Sequence, residues 1–266
     1  MKKFLLLFLS VYFSMFLYGS DTKIGTYERL GKFVPLNLVF TDEHGVKKTL
    51  GEFMENKPTV ISVNYFHCPG ICGPQIDGMT KSLDKLNLKE GKDYKALTIS
   101  FVTTDGPKDA MWFKKNHTAV IRKDFNKSAW SFLTTPDKKT VDALTNALGY
   151  NFKKIINKQG FIDYIHPAGL VILSPKGKIT RYLNGIDYLP FDLQMAIGEA
   201  SKGIARPTIA RAVAFCFSFD PKSNKYVFET KKIFGAVMTL FMIMLFIYFV
   251  LTSKSRKRKK GDDLHE

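Results

Sequence analysis

The sequence predicts an α/β protein: a mostly parallel sheet flanked by helices, with antiparallel edge strands and a C-terminal transmembrane helix. Two observations predict this fold. Short apolar segments alternate with amphipathic segments along most of the chain, which is typical of strands and helices that follow each other around a sheet. Near the C-terminal end, residues 233–251 form a run of 19 residues without a charge, close to the length that a bilayer core requires.

The first predicted elements are a hairpin, a buried strand and an amphipathic helix. Residues 36–41 and 46–50 flank a polar turn and predict the hairpin. Residues 59–65 are mostly apolar and β-branched, which predicts a central strand. Pro74 is suited to the first turn of a helix. This helix has an apolar stripe at intervals of three or four residues, formed by Ile76, Met79, Leu83 and Leu86.

Two further strand–helix pairs follow along the chain. Residues 94–102 predict a second apolar strand, and the helix after it begins near Pro107. Residues 130–133 predict a third strand. In the run Thr135-Pro136-Asp137, we expect Thr135 to cap the next helix, with Pro and Asp in its first turn. Gly149 is expected to end that helix, whose apolar face consists of Val141, Leu144 and Leu148.

The last elements before the apolar run are a hairpin and a helix. Residues 169–173 and 178–183 flank a Pro- and Gly-containing turn and predict two paired strands. Residues 190–200 predict the helix. The order of elements indicates that the early strands are parallel and that the late hairpin adds antiparallel edge strands.

The N-terminal end resembles a secretory signal. Lys2 and Lys3 precede the apolar stretch 4–18, and small residues follow, so residues 1–20 predict a signal peptide. The residues before the cleavage position fit the signal-peptidase pattern poorly. An uncleaved N-terminal anchor is therefore the alternative.

The C-terminal end fixes an orientation. Six basic residues follow the apolar run closely, so the tail, residues 252–266, is expected to face the cytoplasm. Residues 21–230 are then one domain on the outer side of the membrane, and this length suffices for a hydrophobic core. Of the formal net charge of +16, the exported part up to the span, residues 21–232, carries about +11, which suits an anionic membrane surface or an acidic partner. No aromatic-interleaved basic motif suggests nucleic acid.

The chain has three cysteines, too few for a disulfide-framed secreted scaffold. Cys68 and Cys72 form a pair directly after the first central strand. Cys216 lies between aromatic residues, and we interpret it as a buried small hydrophobe, with a modulating thiol near the membrane as the alternative.

The cysteine pair marks the candidate functional site. Cys68 and Cys72 lie between a strand and a helix, at the sheet edge where ligands bind in open α/β folds, which is the thioredoxin-like arrangement. The N-terminus of the following helix favours thiolate over thiol and is expected to lower the pKa of the cysteines. Two such thiolates can cycle between dithiol and disulfide, or they can bind one soft metal ion.

A third ligand would favour the metal, and His166 is the candidate. It lies just before the predicted strand 169–173, and we expect adjacent parallel strands to bring its loop and the cysteine loop to one end of the sheet. A structural role for His166 is the alternative. The other histidines have simpler explanations. His44 lies in a predicted turn and His67 on a strand face directed elsewhere. His117 ends a polar helix, and His265 lies in the tail.

Several segments resemble the Sco/SenC family: Cys68-Pro69-Gly70-Ile71-Cys72, Asp105-Gly106-Pro107 and the stretches 165–179, 181–186 and 217–221. The resemblance extends from about residue 38 to residue 226 and on to the membrane span. It implies a thioredoxin-like fold with one copper ion, Cu(I) or Cu(II), per chain. The ligands that it implies are Cys68, Cys72 and His166. It also implies a role in assembling the copper centre of cytochrome c oxidase, at the outer, periplasmic face of a bacterial inner membrane.

The donor set agrees with copper, since two thiolates and an imidazole suit Cu(I) or, with a further weak ligand, Cu(II). Zinc would also accept these ligands, usually with a fourth. Asp105 is a possible fourth or neighbouring partner, although an Asp before Gly-Pro is more often a turn residue. Family members usually have Pro directly after the second cysteine, whereas this chain has Gly73, which could change the rigidity of the loop.

The resemblance favours a membrane-tethered copper metallochaperone, not an enzyme, that delivers copper to a cytochrome c oxidase subunit. The alternative is a membrane-anchored thiol–disulfide reductase, which needs Cys68 and Cys72 but not His166. A thiol peroxidase is a weaker alternative because no arginine clearly activates a peroxide.

Overall fold

The computed structural model describes residues 24–122, 124–156, 160–207, 217–220, 225–228, 234–235, 238–246 and 248. The chain divides into two units, Met1–Thr208 and Ile209–Glu266. The strands of the first unit are β1 (Gly25–Thr26), β2 (Val39–Thr41), β3 (Lys47–Thr49), β4 (Thr59–Asn64), β5 (Lys95–Ser100), β6 (Trp130–Leu133), β7 (Tyr150–Asn151), β8 (Lys153–Ile156), β9 (Ile162–Ile165), β10 (Gly169–Leu173) and β11 (Ile179–Asn184). Its helices are α1 (Leu50–Met54), α2 (Cys72–Asp84), α3 (Pro107–His117), α4 (Lys138–Leu148) and α5 (Pro190–Ser201), with a 3₁₀ turn at Lys127–Ala129.

A five-stranded mixed sheet in the order β11-β10-β4-β5-β6 forms the centre of the first unit. Strands β4, β5 and β6 are parallel, whereas β10 is antiparallel to both β4 and β11. β4 and β5 are buried along their whole length, as their β-branched and apolar residues predict. The predicted mixed sheet, with a late antiparallel hairpin, is therefore confirmed.

Helices cover both faces of this sheet. Arg181 and Tyr182 are neighbours in β11, so their side chains point to opposite faces. The Arg181 guanidinium pairs with Glu199 of α5 at 2.5 Å, whereas the Tyr182 hydroxyl donates to the carbonyl of Leu148, at the end of α4, at 2.9 Å. α4 and α5 therefore lie on opposite faces, as the alternating pattern of strands and helices predicts.

The structure corrects three predicted element boundaries. The second strand of the first hairpin ends at Thr49, because Thr49 and Glu52 form a capping box that starts α1, a helix that the sequence pattern did not predict. α2 begins at Cys72 instead of Pro74. α4 is capped by Asp137, whose carboxylate accepts from two backbone N–H groups, and not by Thr135.

The β8–β9 hairpin is a second element that the sequence pattern did not predict. Its two strands pair from Lys153 with Ile165 to Ile156 with Ile162. Few of its residues are buried, so the apolar pattern of a core strand is absent. The hairpin matters for function because it leads directly into His166.

The second unit contains β12 (Phe217–Asp220) and β13 (Lys225–Phe228), which pair antiparallel. The described residues between 234 and 248 are all helical. Among the residues described, none of the helices combines the length and apolar character that crossing a bilayer requires. The predicted span 233–251 lies partly outside the described residues, and the predicted signal peptide, the basic tail, Cys216 and His265 lie wholly outside them.

Candidate metal centre

Two thiols lie at the end of the central strand β4. The chain leaves β4 at Asn64, crosses the loop that contains Cys68, and enters α2 at Cys72. Cys72 is fully buried, whereas Cys68 is partly exposed, and both are free thiols. Backbone N–H groups point at both sulfurs: Gly70 N donates to Cys68 Sγ at 3.3 Å and Tyr65 N to Cys72 Sγ at 3.5 Å.

His166 closes the site from the other side. Its Nε2 lies 3.2 Å from Cys72 Sγ and 4.0 Å from Cys68 Sγ, and the three donor atoms lie within 4.8 Å of one another. The expectation that adjacent parallel strands bring His166 to the cysteines is wrong. β10 runs antiparallel to β4, so the start of β10, where His166 is located, lies beside the end of β4.

The imidazole of His166 has hydrogen-bond partners on the side away from the two sulfurs. Its Nδ1 lies 2.8 Å from the hydroxyl of Tyr150 and 2.9 Å from the carbonyl of Pro167. The Tyr150 hydroxyl is also 3.1 Å from the carbonyl of Val63, to which it can donate. These contacts fit a ring that carries its proton on Nδ1, which leaves the lone pair of Nε2 directed at the two sulfurs.

The two thiols differ in their protonation. Hydrogen bonding from Cys72 is the largest of several causes that lower the pKa of Cys68 to about 4, and backbone N–H groups add to it. Burial, followed by hydrogen bonding to Cys68, raises the pKa of Cys72 well above its usual range. The expectation that the helix N-terminus lowers the pKa of both cysteines is therefore wrong for Cys72, because at the first residue of α2 burial outweighs the helix dipole.

Aromatic rings shield His166 from water. Tyr65 and Phe101 pack against its ring at centroid distances of 6.1 and 5.4 Å, and only 2% of the histidine surface is exposed. Tyr65 also donates a hydrogen bond to Asp163 of β9. The β8–β9 hairpin is thus connected through Tyr65 to the loop that carries Cys68.

Asp105 supports the site without joining the Cys68–Cys72–His166 group. Its Oδ2 accepts hydrogen bonds from Phe66 N at 2.8 Å and from Ser100 Oγ at 2.6 Å. Burial raises the pKa of this carboxyl group. The contact with Phe66 fixes the backbone just before Cys68, so Asp105 has a role in shaping the loop beyond that of a turn residue.

The remaining described histidines have other partners. His67 Nε2 lies 2.8 Å from Asp109 Oδ1, and the ring stacks on Trp112. His117 Nδ1 lies 2.8 Å from Asp77 Oδ1, so it joins α3 to α2 and does more than compensate the helix dipole. His44 lies in the turn after β2, as expected.

Sequence reasoning missed two residues of this site, Tyr150 and Asn64. Tyr150 follows directly after the glycine that ends α4, and its hydroxyl reaches His166 across the fold. Asn64 ends β4 in full burial. A carboxamide at the end of a mostly apolar strand was a signal for Asn64, whereas no local pattern marks Tyr150.

The three donors suit a soft or borderline metal ion. Bonds of about 2.0–2.3 Å from one ion to sulfur and nitrogen require donor atoms roughly 3–4 Å apart. The two measured sulfur–nitrogen distances, 3.2 and 4.0 Å, fall in this range. Two sulfurs and one imidazole favour copper or zinc over magnesium or calcium.

The sequence profile described as SCO1/SenC matches residues 34–193, more than half of the chain. The chain belongs to the SCO1/SenC family. The matched region contains Cys68, Cys72 and His166, and the resemblance read from the sequence motifs is confirmed.

Individual relatives agree with this family membership. The SCO1 protein homolog of Bacillus subtilis (strain 168) is 25% identical over 165 residues, which cover 59% of this SCO1/SenC chain and 80% of the relative. A solved structure from Aquifex aeolicus VF5 is 26% identical, covers 65% of this chain and 95% of that one, and superposes with a TM-score of 0.57. Arabidopsis thaliana ScoI, solved with copper bound, is 15% identical with a TM-score of 0.51, covering 62% of this chain and 96% of that one, so it supports the fold alone.

Proposed function

We propose that this SCO1/SenC protein is a copper metallochaperone that binds one copper ion through Cys68, Cys72 and His166. The convergence of the two sulfurs and the His166 Nε2 within 4.8 Å carries the proposal. Relatives of known structure, such as Arabidopsis thaliana ScoI, have been solved with copper bound. In this chain copper is a cargo, and the protein is a carrier and not a catalyst.

The site suits a carrier because its three donors differ in exposure. Cys72 and His166 are buried, whereas Cys68 is partly exposed. An acceptor can therefore approach copper from the side of Cys68 and exchange ligands there first. The acceptor that we propose is a subunit of cytochrome c oxidase, which agrees with the family resemblance of the sequence.

We also propose a location for the chain. Residues 1–20 would direct export, residues 21–230 would form the domain on the periplasmic side, and residues 233–251 would anchor it in the bacterial inner membrane. The basic residues of the tail support this orientation, because positive charges remain on the cytoplasmic side.

A second candidate function is thiol–disulfide reduction, and the unequal thiols favour it. Cys68, whose pKa is about 4, would attack a partner's disulfide, and the buried Cys72 would resolve the mixed disulfide. The two electrons would come from the dithiol, which ends as the Cys68–Cys72 disulfide. Both functions can coexist in one protein. Formation of the Cys68–Cys72 disulfide would remove two copper ligands, so the redox state would switch copper binding on or off.

The His166→Ala variant separates the two functions. The reduced full-length chain, purified in a mild detergent, is titrated anaerobically with Cu(I) against a competing chelator. We expect one tight equivalent in the wild type and its loss in the variant. Reduction of a small disulfide by the copper-free protein should remain largely intact, because it needs only the cysteines. Equal loss of both activities would contradict this division, and copper binding that is indifferent to His166 would favour the reductase.

A further inference from the structure

A buried carboxamide without a partner lies next to the candidate metal centre. Asn64 is the last residue of β4, and its exposed fraction is 0%. Within the described part of the chain, neither its Nδ2 nor its Oδ1 has a hydrogen-bond partner. Buried amides in native proteins are nearly always hydrogen-bonded, so the free groups of Asn64 call for a specific explanation.

The neighbour of this carboxamide is the sulfur of Cys72. The residue after Asn64, Tyr65, donates its backbone N–H to that sulfur at 3.5 Å. Asn64 is also among the groups that lower the pKa of this thiol, although its amide makes no hydrogen bond to the sulfur in the copper-free protein. The amide therefore lies beside a ligand whose charge changes when a metal binds.

A contrast within β4 shows that this site is unusual. Ser62 is two residues earlier on the same face of the strand, and it is also fully buried. Its hydroxyl is 2.8 Å from Thr98 Oγ1, so its hydrogen bonding is satisfied. The buried polar groups of β4 are thus not all left unpaired, and the unpaired one is at the cysteine end.

We propose that Asn64 is a positioning residue for copper, whose Nδ2–H donates a hydrogen bond to the Cys72 sulfur when copper is bound. The inference rests on the proposed copper-binding function. On binding, the Cys72 thiol releases its proton to solvent and copper takes its place on the sulfur, with no change in oxidation state. The thiolate is a stronger hydrogen-bond acceptor than the thiol, so it offers an acceptor to the Nδ2–H group of Asn64.

This role predicts opposite effects on the copper-free and the copper-bound protein. Leu has nearly the shape of Asn, so Asn64→Leu replaces the unpaired amide by an apolar group. The copper-free chain should unfold at an unchanged or higher denaturant concentration, since no hydrogen bond is lost. Copper affinity should fall about 10- to 100-fold, which is typical when a partner of a metal ligand is removed. The thiolate-to-Cu(II) charge-transfer band should move to longer wavelength.

Ser62→Ala is the matched control. It removes a buried polar group from the same strand face but breaks an existing hydrogen bond. We expect its copper-free form to be less stable and its copper affinity and charge-transfer band to be those of the wild type. Asn64→Ala removes the amide without adding bulk, and it carries the same expectation for copper as Asn64→Leu if the latter variant does not fold.

The wild-type chain, measured alongside, keeps the two proposals distinguishable. If the full-length wild type binds no copper, the proposed function fails. If it binds copper and both Asn64 variants bind it equally tightly with an unshifted band, only the role of Asn64 is overturned. Loss of stability in the copper-free Asn64→Leu variant without a change in affinity would also overturn it, because it would identify Asn64 as structural.

Discussion

The unequal thiols of Cys68 and Cys72 follow from where each is located. Cys68 lies in a partly exposed loop, where the S–H of Cys72 and the N–H of Gly70 can stabilise its thiolate. Cys72 is enclosed by the fold, and burial keeps its sulfur protonated. The copper-free site therefore holds one thiolate and one thiol, and binding of a metal must displace the proton of Cys72.

This asymmetry predicts the pH dependence of alkylation at Cys68 in a Cys216→Ser background. A lowered pKa keeps the reactive thiolate present down to acidic pH. The rate at which Cys68 reacts with iodoacetamide should stay level through neutral pH and fall only as the pH approaches about 4. A free thiol measured in parallel gives the reference curve. In Cys72→Ala the titration should move upward, because the main donor to the thiolate is gone. A titration near the usual thiol value of 9.0 in both proteins would contradict the assignment.

Tyr150 orients His166 through a hydroxyl that bonds the far side of the imidazole. Tyr150→Phe should therefore lower copper affinity about 10- to 100-fold, as the loss of a partner of a metal ligand commonly does. It should also cost about 1–3 kcal/mol of stability, because buried acceptors lose their donor. Competition with a chelator and denaturant unfolding measure the two effects.

Tyr182→Phe is the control for Tyr150→Phe. Its side chain is buried, and its hydroxyl donates to the carbonyl of Leu148, at the end of α4, at 2.9 Å and not to a group around His166. This variant should lose stability while its copper affinity stays at the wild-type level. If both tyrosine variants weaken copper binding equally, general loosening of the fold and not the orientation of His166 is the cause.

Gly73, in the first turn of α2, lies against a histidine of α3. A Cβ at Gly73 would lie 3.2 Å from Cε1 of His117, which is held by Asp77. The histidine thus packs over the backbone of the first turn of α2, just after Cys72.

A double-mutant cycle tests this contact. In a His117→Ala background, Gly73→Ala should stabilise the chain by about 0.5–1 kcal/mol, the usual gain for Ala over Gly in a helix. In the wild-type background the same substitution should gain less or destabilise, because the methyl group meets the imidazole. Denaturant unfolding of the four proteins measures the coupling. The same change in both backgrounds would show that His117 does not restrict this position.

Local sequence signals predicted the elements of the fold well, and contacts distant in sequence limited the prediction. The apolar, β-branched residues of β4 and β5 identified the buried centre, and Gly149 with its φ of 65° ends α4 as expected. The β8–β9 hairpin has no core-facing pattern and was missed. His166 was chosen as a ligand candidate from its place before a strand, although the antiparallel pairing that brings it to the cysteines was not foreseen.

The residue types of the site could be predicted from the sequence, whereas the environment of each residue could not. Cys68 and Cys72 indicate either a soft metal or a redox pair by residue type and spacing, His166 is a candidate third ligand by its place in the sequence, and the full ligand set came from the family resemblance. The raised pKa of Cys72, the support from Tyr150 and the unpaired amide of Asn64 depend on burial and on residues far away in the chain. Such features arise only when the whole domain has folded.

We propose that one copper ion binds to two sulfurs and one imidazole of a single chain. The most direct test is the copper-edge X-ray absorption spectrum of the full-length protein loaded anaerobically with one equivalent of Cu(I). We predict two sulfur neighbours and one imidazole nitrogen per copper, with the nitrogen absent in His166→Ala. A wild-type spectrum with sulfur neighbours alone, unchanged in His166→Ala, would contradict this account of the site.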